Sequence, residues 1–441
     1  MIIYLLLIFV IMATIVSYKS LNRDCFSPPT MLCASFILPI SLAIINMEEW
    51  ELELDFETVL IVMTAMISFY VGFKFFSCQD KNAVKSVVPM IKFKKYTNLI
   101  YIIGLVYTII EYYFFVQSIG MANTLSENLI AARLAKSSGE ISPPAMLETL
   151  FSFYRMTSIV YVYNFAISKF LYHKYFLEGA VVSVLTIVLT VLPGARGYVV
   201  FTIVSYCVTW MIVWELCKKD KIHFAWKKIF SYLGWFTLLI VLFFASVFFF
   251  GRADLDNIDD NIVMYMIKYL SGYIGGELKG LNDYVVNVYS PIKDDIPFGS
   301  YTLLSFYEWI SRHFNEYTWL SSSLQDFFNR YYYDKYGVMI GNVYTAFGTQ
   351  YEDCGLFGVL LFNLIEGMFF GYMYYKLLPS TFSVNRYGFS WILLLYAYFY
   401  YTIPLTFFAG FFYIMFSIGM WKIFAFIWIF ERVGLKNIRK D

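Results

Sequence analysis

The stretch LIYIIGLVYTIIEYYFFVQ, which runs from Leu99 to Gln117, decides the fold. Its 19 residues include a single charged side chain, Glu111. Because a helix rises about 1.5 Å per residue, about 20 apolar residues cross the hydrocarbon core of a bilayer. Three lysines stand just before this stretch, at Lys92, Lys94 and Lys95. It therefore predicts a transmembrane helix with a basic end.

Similar apolar stretches recur along the chain and predict an all-α polytopic membrane protein. Of its 441 residues, 60% are hydrophobic and 15% are charged, against about 25% charged in a soluble domain. We expect about eleven transmembrane helices, at 1–17, 28–46, 58–77, 99–117, 146–167, 176–192, 198–216, 231–250, 356–375, 388–402 and 406–428. Residues 1–250 then hold helices 1 to 8, 251–355 form one large, partly helical loop, and 356–441 hold helices 9 to 11 and a basic tail.

The basic residues between these helices predict the orientation. Twenty Lys and Arg fall in alternate segments, whereas the short segments between them carry only Arg133, Lys136 and Arg196. Since short cytoplasmic loops are rich in Lys and Arg, we expect the N-terminus outside and the C-terminus inside. The large loop is then extracytoplasmic. The first helix has no basic residue before it and no A-x-A site after it, so we expect it to be retained and not cleaved.

Several function classes lack support in the sequence. The formal net charge of +1 gives no basic field for nucleic acid. Six cysteines without CxxC spacing, and a single histidine in the segments expected outside, disfavour a zinc site. The chain has no Walker A, GxSxG or dinucleotide-binding motif. We therefore expect no metal, no nucleotide and no other cofactor.

Three arginines are candidates for binding a phosphate group, because a guanidinium offers paired donors to phosphate oxygens. Arg196 lies in a short turn between two expected helices, with glycines close by, and Arg252 follows a glycine at the start of the large loop. Arg155 lies inside the fifth expected helix, where an ionisable residue suggests a functional site. The alternatives are contact with lipid headgroups for Arg196, pairing with nearby aspartates for Arg252, and pairing with Glu148 for Arg155.

Two residues are candidates for a general base. His313 is the histidine expected outside, although a lone histidine is more often structural. Asp353 stands just before the ninth expected helix, where a carboxylate also serves to cap the helix. The sequence does not choose between these roles.

The stretch NVYT at 342–345, followed by YEDCGLFG at 351–358, resembles a signature of the Wzy-type polymerases that build O-antigen and capsular polysaccharide. The Gly194-Ala-Arg196-Gly turn is similar to a glycine–arginine segment of that family. Many apolar helices with one large loop in the C-terminal half also match its architecture. The resemblance covers most of the chain as architecture and only these short stretches as motif.

The resemblance implies a glycosyltransferase of the bacterial cytoplasmic membrane that joins oligosaccharide repeat units carried on undecaprenyl diphosphate. Arg196, Arg252 and Arg155 would then bind the diphosphate, Asp353 or His313 would be the base, and Asn342 and Tyr344 would contact the glycan. Its expected partners are lipid-linked oligosaccharides, membrane lipid, a flippase and a chain-length regulator, but not nucleic acid. The alternatives are a flippase or other transporter, which would show repeated halves and charges near the midplane, and a lipid-linked glycan ligase.

Overall fold

The computed structural model describes residues 2–77, 89–120, 124–137, 141–194, 196–217, 262–289, 297–314, 330–378 and 381–438. It is mostly helical, at 73%, with 13 helices. These are α1 (Ile2–Ser20), α2 (Pro28–Ile45), α3 (Phe56–Lys74), α4 (Thr97–Gly120), α5 (Leu125–Ser137), α6 (Ala145–Phe170), α7 (Leu177–Val191), α8 (Arg196–Cys217), α9 (Ile262–Asn287), α10 (Leu304–Phe314), α11 (Thr345–Leu377), α12 (Trp391–Phe399) and α13 (Ile418–Gly434).

Six of the described helices are long and apolar enough to cross a membrane. They are α1, α2, α3, α4, α8 and α11, with the apolar window of α8 at Gly197–Trp214; α7 is apolar but shorter. This supports a membrane-embedded helical protein. The total of eleven helices and their orientation stay predictions, and the expected helix 231–250 lies outside the described residues.

The helices divide between two compact units. Unit 1 comprises 1–83, 263–376 and 399–421, and unit 2 comprises 84–262, 377–398 and 422–441. Unit 1 also holds a small antiparallel pair of strands, β1 (Tyr332–Tyr333) and β2 (Met339–Gly341). In unit 2, α6 packs against α4, α7 and α8.

In unit 1, α3 and α11 approach each other closely through glycines. A Cβ added to Gly367 would lie 2.2 Å from the carbonyl oxygen of Phe69, and one added to Gly371 would lie 2.4 Å from that of Phe73. A Cβ on Gly72 of α3 would in turn lie 2.2 Å from the Leu364 carbonyl oxygen. Gly367 and Gly371 are four residues apart, the spacing that brings apolar helices into backbone contact.

Helix α11 is two helical segments joined by a reversal of the chain. Gly355 has φ +58° and ψ −148°, a conformation that favours glycine. The Asn363 amide donates a hydrogen bond to the Gln350 side chain. In one continuous helix these residues would stand about 20 Å apart along the axis, so residues 345–353 must run back along 356–377. We call residues 345–353 the folded-back segment.

The backbone between α12 and α13 is irregular, which corrects the predicted helix at 406–428. After α12 the chain makes a 3₁₀ turn at Tyr400–Thr402, then further turns and a second 3₁₀ stretch at Phe412–Phe416. Pro404 has no N–H to donate and disfavours a continuous helix here. Regular α-helix resumes only at Ile418.

The described part of the predicted large loop includes one long helix, α9, which spans 26 residues. The Asn282 side chain of α9 binds the N-terminal end of α3. Asn282 accepts from the N–H of Asp55 and the hydroxyl of Thr58 and donates to the carbonyl of Glu53. The described part of this segment is thus integrated into the packing of unit 1.

Candidate functional site

Helix α6 of unit 2 places Arg155 among aromatic rings. Its guanidinium donates to the Tyr398 hydroxyl at 3.1 Å, and its Cζ lies 4.8 Å from the centroid of the Tyr198 ring. Stacking on rings leaves the edge of the guanidinium, which carries its N–H donors, free to meet an anion. The Nε atom of Arg155 is buried and has no hydrogen-bond partner. The alternative pairing with Glu148 does not occur among the described residues.

A small cavity of about 10 Å³ adjoins this arginine. Besides Arg155 its lining includes three hydroxyl side chains, Thr202, Ser205 and Tyr206. The hydroxyl of Tyr206 contacts Ser158 at 2.6 Å, and that of Ser205 donates to the Phe201 carbonyl. The cavity is therefore lined by the positively charged Arg155 guanidinium and by hydroxyl groups, within a unit otherwise rich in apolar helices.

The start of α8 lies beside the same arginine. Helix α8 begins at Arg196, and its third residue is Tyr198, on which Arg155 stacks. The unpaired N–H groups and the dipole of a helix start favour negative charge. Only the backbone of Arg196 is described, so its predicted side-chain role stays a prediction. Arg252 lies outside the described residues.

Arg133 lies beside the same turn and was not selected from the sequence. A Cβ on Gly194, which has φ +68°, would lie 3.2 Å from the Cβ of Arg133 and 3.0 Å from the Leu129 carbonyl oxygen. Helix α5 thus packs on the turn that leads into α8, and Arg133 lies at that contact. The signal available in the sequence was an arginine on the short amphipathic stretch 128–135.

Asp353 ends the folded-back segment in unit 1, and its carboxylate is used by backbone donors. One oxygen accepts from the N–H of Tyr301 at 3.0 Å, and the other accepts from the N–H of Thr302 at 2.8 Å. These charge-assisted bonds hold the start of the segment that leads into α10. The geometry therefore gives Asp353 a structural task that the sequence did not reveal.

Replacing Asp353 tests this structural task. We expect Asp353→Ala to destabilise the protein by about 1.5–3 kcal/mol, because two backbone donors lose a charged acceptor. Asp353→Asn keeps one acceptor oxygen, so we expect a smaller loss of thermal stability. Thermal unfolding of the purified variants measures both effects. If Asp353→Ala unfolded at the wild-type temperature, the structural role of the carboxylate would be disproved.

The other predicted residues of unit 1 have varied surroundings. The exposed His313 lies on α10, with its Nδ1 2.8 Å from the carbonyl oxygen of Trp309 in the same helix. Tyr344 is buried and donates to the carbonyl oxygen of Arg330 at 2.8 Å, so its hydroxyl is engaged within the protein. Asn342 is half-buried just after β2. Asn342 and Tyr344 precede the folded-back segment, and Asp353 is its last residue.

A second carboxyl, Glu277 of α9, was not selected from the sequence. It is 3% exposed and its Oε2 has no hydrogen-bond partner. Burial raises its pKa well above the ordinary value, which favours the neutral acid. The nearby Gly276 and Gly280 allow the ring of Tyr332 to pack on α9. The signal available in the sequence was a charged residue with glycines on both sides, the same pattern that marked Arg196 as a candidate.

No family model, curated protein or solved structure matches this chain. Among the described residues, no group of three or more His, Cys, Asp or Glu side chains could hold a metal ion. Unit 2 offers arginines at the start of α8, and unit 1 offers carboxyl groups and an irregular backbone.

Proposed function

We propose that the protein transfers glycan from a lipid diphosphate to a lipid-linked oligosaccharide repeat unit, as a polymerase of bacterial surface polysaccharide. The observation that carries the proposal is at the start of α8, where Arg155 stacks on Tyr198 of the first turn and Arg133 of α5 lies against the Gly194 turn that leads into the helix. This is a binding arrangement for an anion beside apolar helices. A polyprenyl diphosphate has that chemistry, with a charged head on an apolar chain.

The reaction makes specific demands on the protein. The hydroxyl oxygen of the acceptor sugar forms a bond to the anomeric carbon of the donor, whose bond to the diphosphate oxygen breaks. The diphosphate leaves with the electron pair, and the acceptor proton passes to a base. Cations that bind the departing diphosphate stabilise the charge that develops on it. In this proposal Arg155, Arg196 and Arg252 of unit 2 do so, and the role of base stays a sequence prediction for Asp353 or His313.

One observation favours the rival proposal of a transporter for a lipid-linked oligosaccharide. Broken helices and irregular backbone beside a polar cavity are typical of transporter binding sites. The folded-back segment and the irregular stretch 400–416 have this character. Against it, we find no internal repeat in the sequence, which many transporters show.

Deleting the gene in its host distinguishes these functions. If the protein is a polymerase, we expect surface glycan with a single repeat unit where the parent strain shows a ladder, and a plasmid copy should restore the ladder. Gel profiles and mass spectrometry of the glycan give the readout. Loss of all surface glycan with lipid-linked units held inside the cell would support the transporter and refute the polymerase. Intact polymer left on its lipid carrier would indicate a ligase.

A further inference from the structure

Unit 1 contains a second small cavity, beside the folded-back segment. Its volume is about 10 Å³, which is room for one guest of the size of a water molecule. Its lining is rich in oxygen-bearing side chains and contains one carboxyl group: Thr302, Thr349, Gln350, Glu366, Thr402 and Thr406, with Gly410 and other small or aromatic residues around them. A single water molecule or ion bound here would have polar side chains on several sides.

Two of the hydroxyls in this wall lack a partner. The Oγ1 atoms of Thr302 and Thr402 are buried and make no hydrogen bond, and the residues are 6% and 2% exposed. An unsatisfied buried hydroxyl is unfavourable, and a water molecule or an ion bound in the cavity would satisfy it. Because each belongs to a different segment, their convergence on one cavity is a product of the tertiary structure.

The side-chain oxygen atoms of the other polar residues in the lining have lone pairs that can coordinate a cation. The hydroxyl of Thr406 donates its proton to the Thr402 carbonyl, and that of Thr349 donates to the Ala346 carbonyl. A hydroxyl that has given its proton to a carbonyl keeps oxygen lone pairs available. The Gln350 side chain oxygen is likewise an acceptor, since Asn363 donates to it. The cavity is therefore lined by several oxygen lone pairs.

Glu366 supplies the charge. It lines the cavity from α11, deep in a membrane-length helix, and is 4% exposed. A lone carboxylate in such surroundings is costly unless it is neutralised. Hard cations prefer oxygen ligands. Because the lining has one carboxylate and otherwise neutral hydroxyl and amide oxygens, it balances the charge of a monovalent cation and not of a divalent one.

We propose that this cavity is a binding site for a sodium ion, held by the Glu366 carboxylate and the hydroxyls of Thr302 and Thr402. The neighbouring backbone suits this role, because turns at 400–410 leave carbonyl groups outside a helix, as in the ion sites of membrane proteins. The ion would join the folded-back segment to α11 and to the 400–410 turns. The proposal does not depend on the identity of the reaction.

Sodium-dependent stability tests the site. The full-length protein in nanodiscs is unfolded by heat at rising NaCl, with choline chloride keeping the ionic strength constant. We expect the unfolding temperature to rise saturably with sodium, because a ligand that binds only the folded state stabilises it. Equal unfolding temperatures in sodium and in choline would overturn the proposal and indicate that water or a protonated Glu366 occupies the cavity.

Variants of the lining residues test whether the effect of sodium on the unfolding temperature arises at this cavity. We expect Glu366→Gln and Thr402→Val to weaken the apparent sodium affinity by about tenfold or more, which is a large effect for one ligand. Gly410→Ala should also weaken it, because the added Cβ would lie 3.3 Å from the Thr349 hydroxyl. The matched control is Thr108→Val, since Thr108 is also fully buried in an apolar helix but its hydroxyl bonds only to the Gly104 carbonyl. If Thr402→Val and Thr108→Val kept the same sodium response, the assignment to this cavity would be wrong.

Discussion

Replacing Arg155 by alanine is expected to lower the rate of the proposed glycan extension by about 10²–10³-fold, the usual effect of removing one donor that stabilises developing charge. The guanidinium is held by the Tyr398 hydroxyl and the Tyr198 ring, and its Nε is buried without a partner. Alanine removes both the positive charge and the N–H donors of the guanidinium. Extension of a lipid-linked repeat unit by the protein in native membranes or nanodiscs gives the rate.

Two further arginine variants make this prediction specific. Arg155→Lys keeps the charge but cannot offer paired planar donors or the same ring stacking, so we expect it to recover only a minor part of the rate. Arg386→Ala is the matched control. The exposed Arg386 stacks on Tyr387 with its Cζ 5.0 Å from the ring centroid, yet it lies in a different part of unit 2. Normal extension by Arg155→Ala at normal protein yield would refute the diphosphate role of this arginine.

Replacing Gly367 by alanine is expected to give the largest loss of stability. The added Cβ would lie 2.2 Å from a backbone oxygen of α3, and backbone cannot move aside as a flexible side chain can. The helices must separate, which also disturbs the packing of Phe69 on Phe370. We expect a loss of roughly 3 kcal/mol, the upper part of the usual range for overpacking. Thermal unfolding of the purified protein and its yield from membranes measure the effect.

A second glycine provides the control for this experiment. Gly272 lies in α9, and a Cβ there would meet its nearest neighbours at 3.5 Å, an ordinary contact. Gly272→Ala should therefore retain wild-type stability or gain slightly, because alanine is a better helix former. If Gly367→Ala unfolded at the same temperature as Gly272→Ala, the close contact between α3 and α11 would be disproved.

The sequence determined that this protein is built of apolar, membrane-length helices, because that signal is local. An apolar run such as 99–117 must bury its backbone groups within itself, so a helix follows from composition and length alone. The same local reasoning selected Arg155, since a charge inside an apolar helix stands out in the sequence. It also located the stretch 342–358, whose Asp353 proved to be bonded to the protein itself.

Only the tertiary structure decided the reversal at Gly355 and the sites that depend on it. An apolar run has the same composition whether its chain continues or folds back, so the contact of Gln350 with Asn363 was not readable from sequence. The meeting of Thr302, Glu366 and Thr402 likewise joins segments far apart in the chain. Hydropathy is a property of single stretches, whereas a cavity is a property of their packing. Local composition therefore determined that the chain forms apolar helices. Packing decided where the chain reverses or leaves the helix, and which polar groups come together.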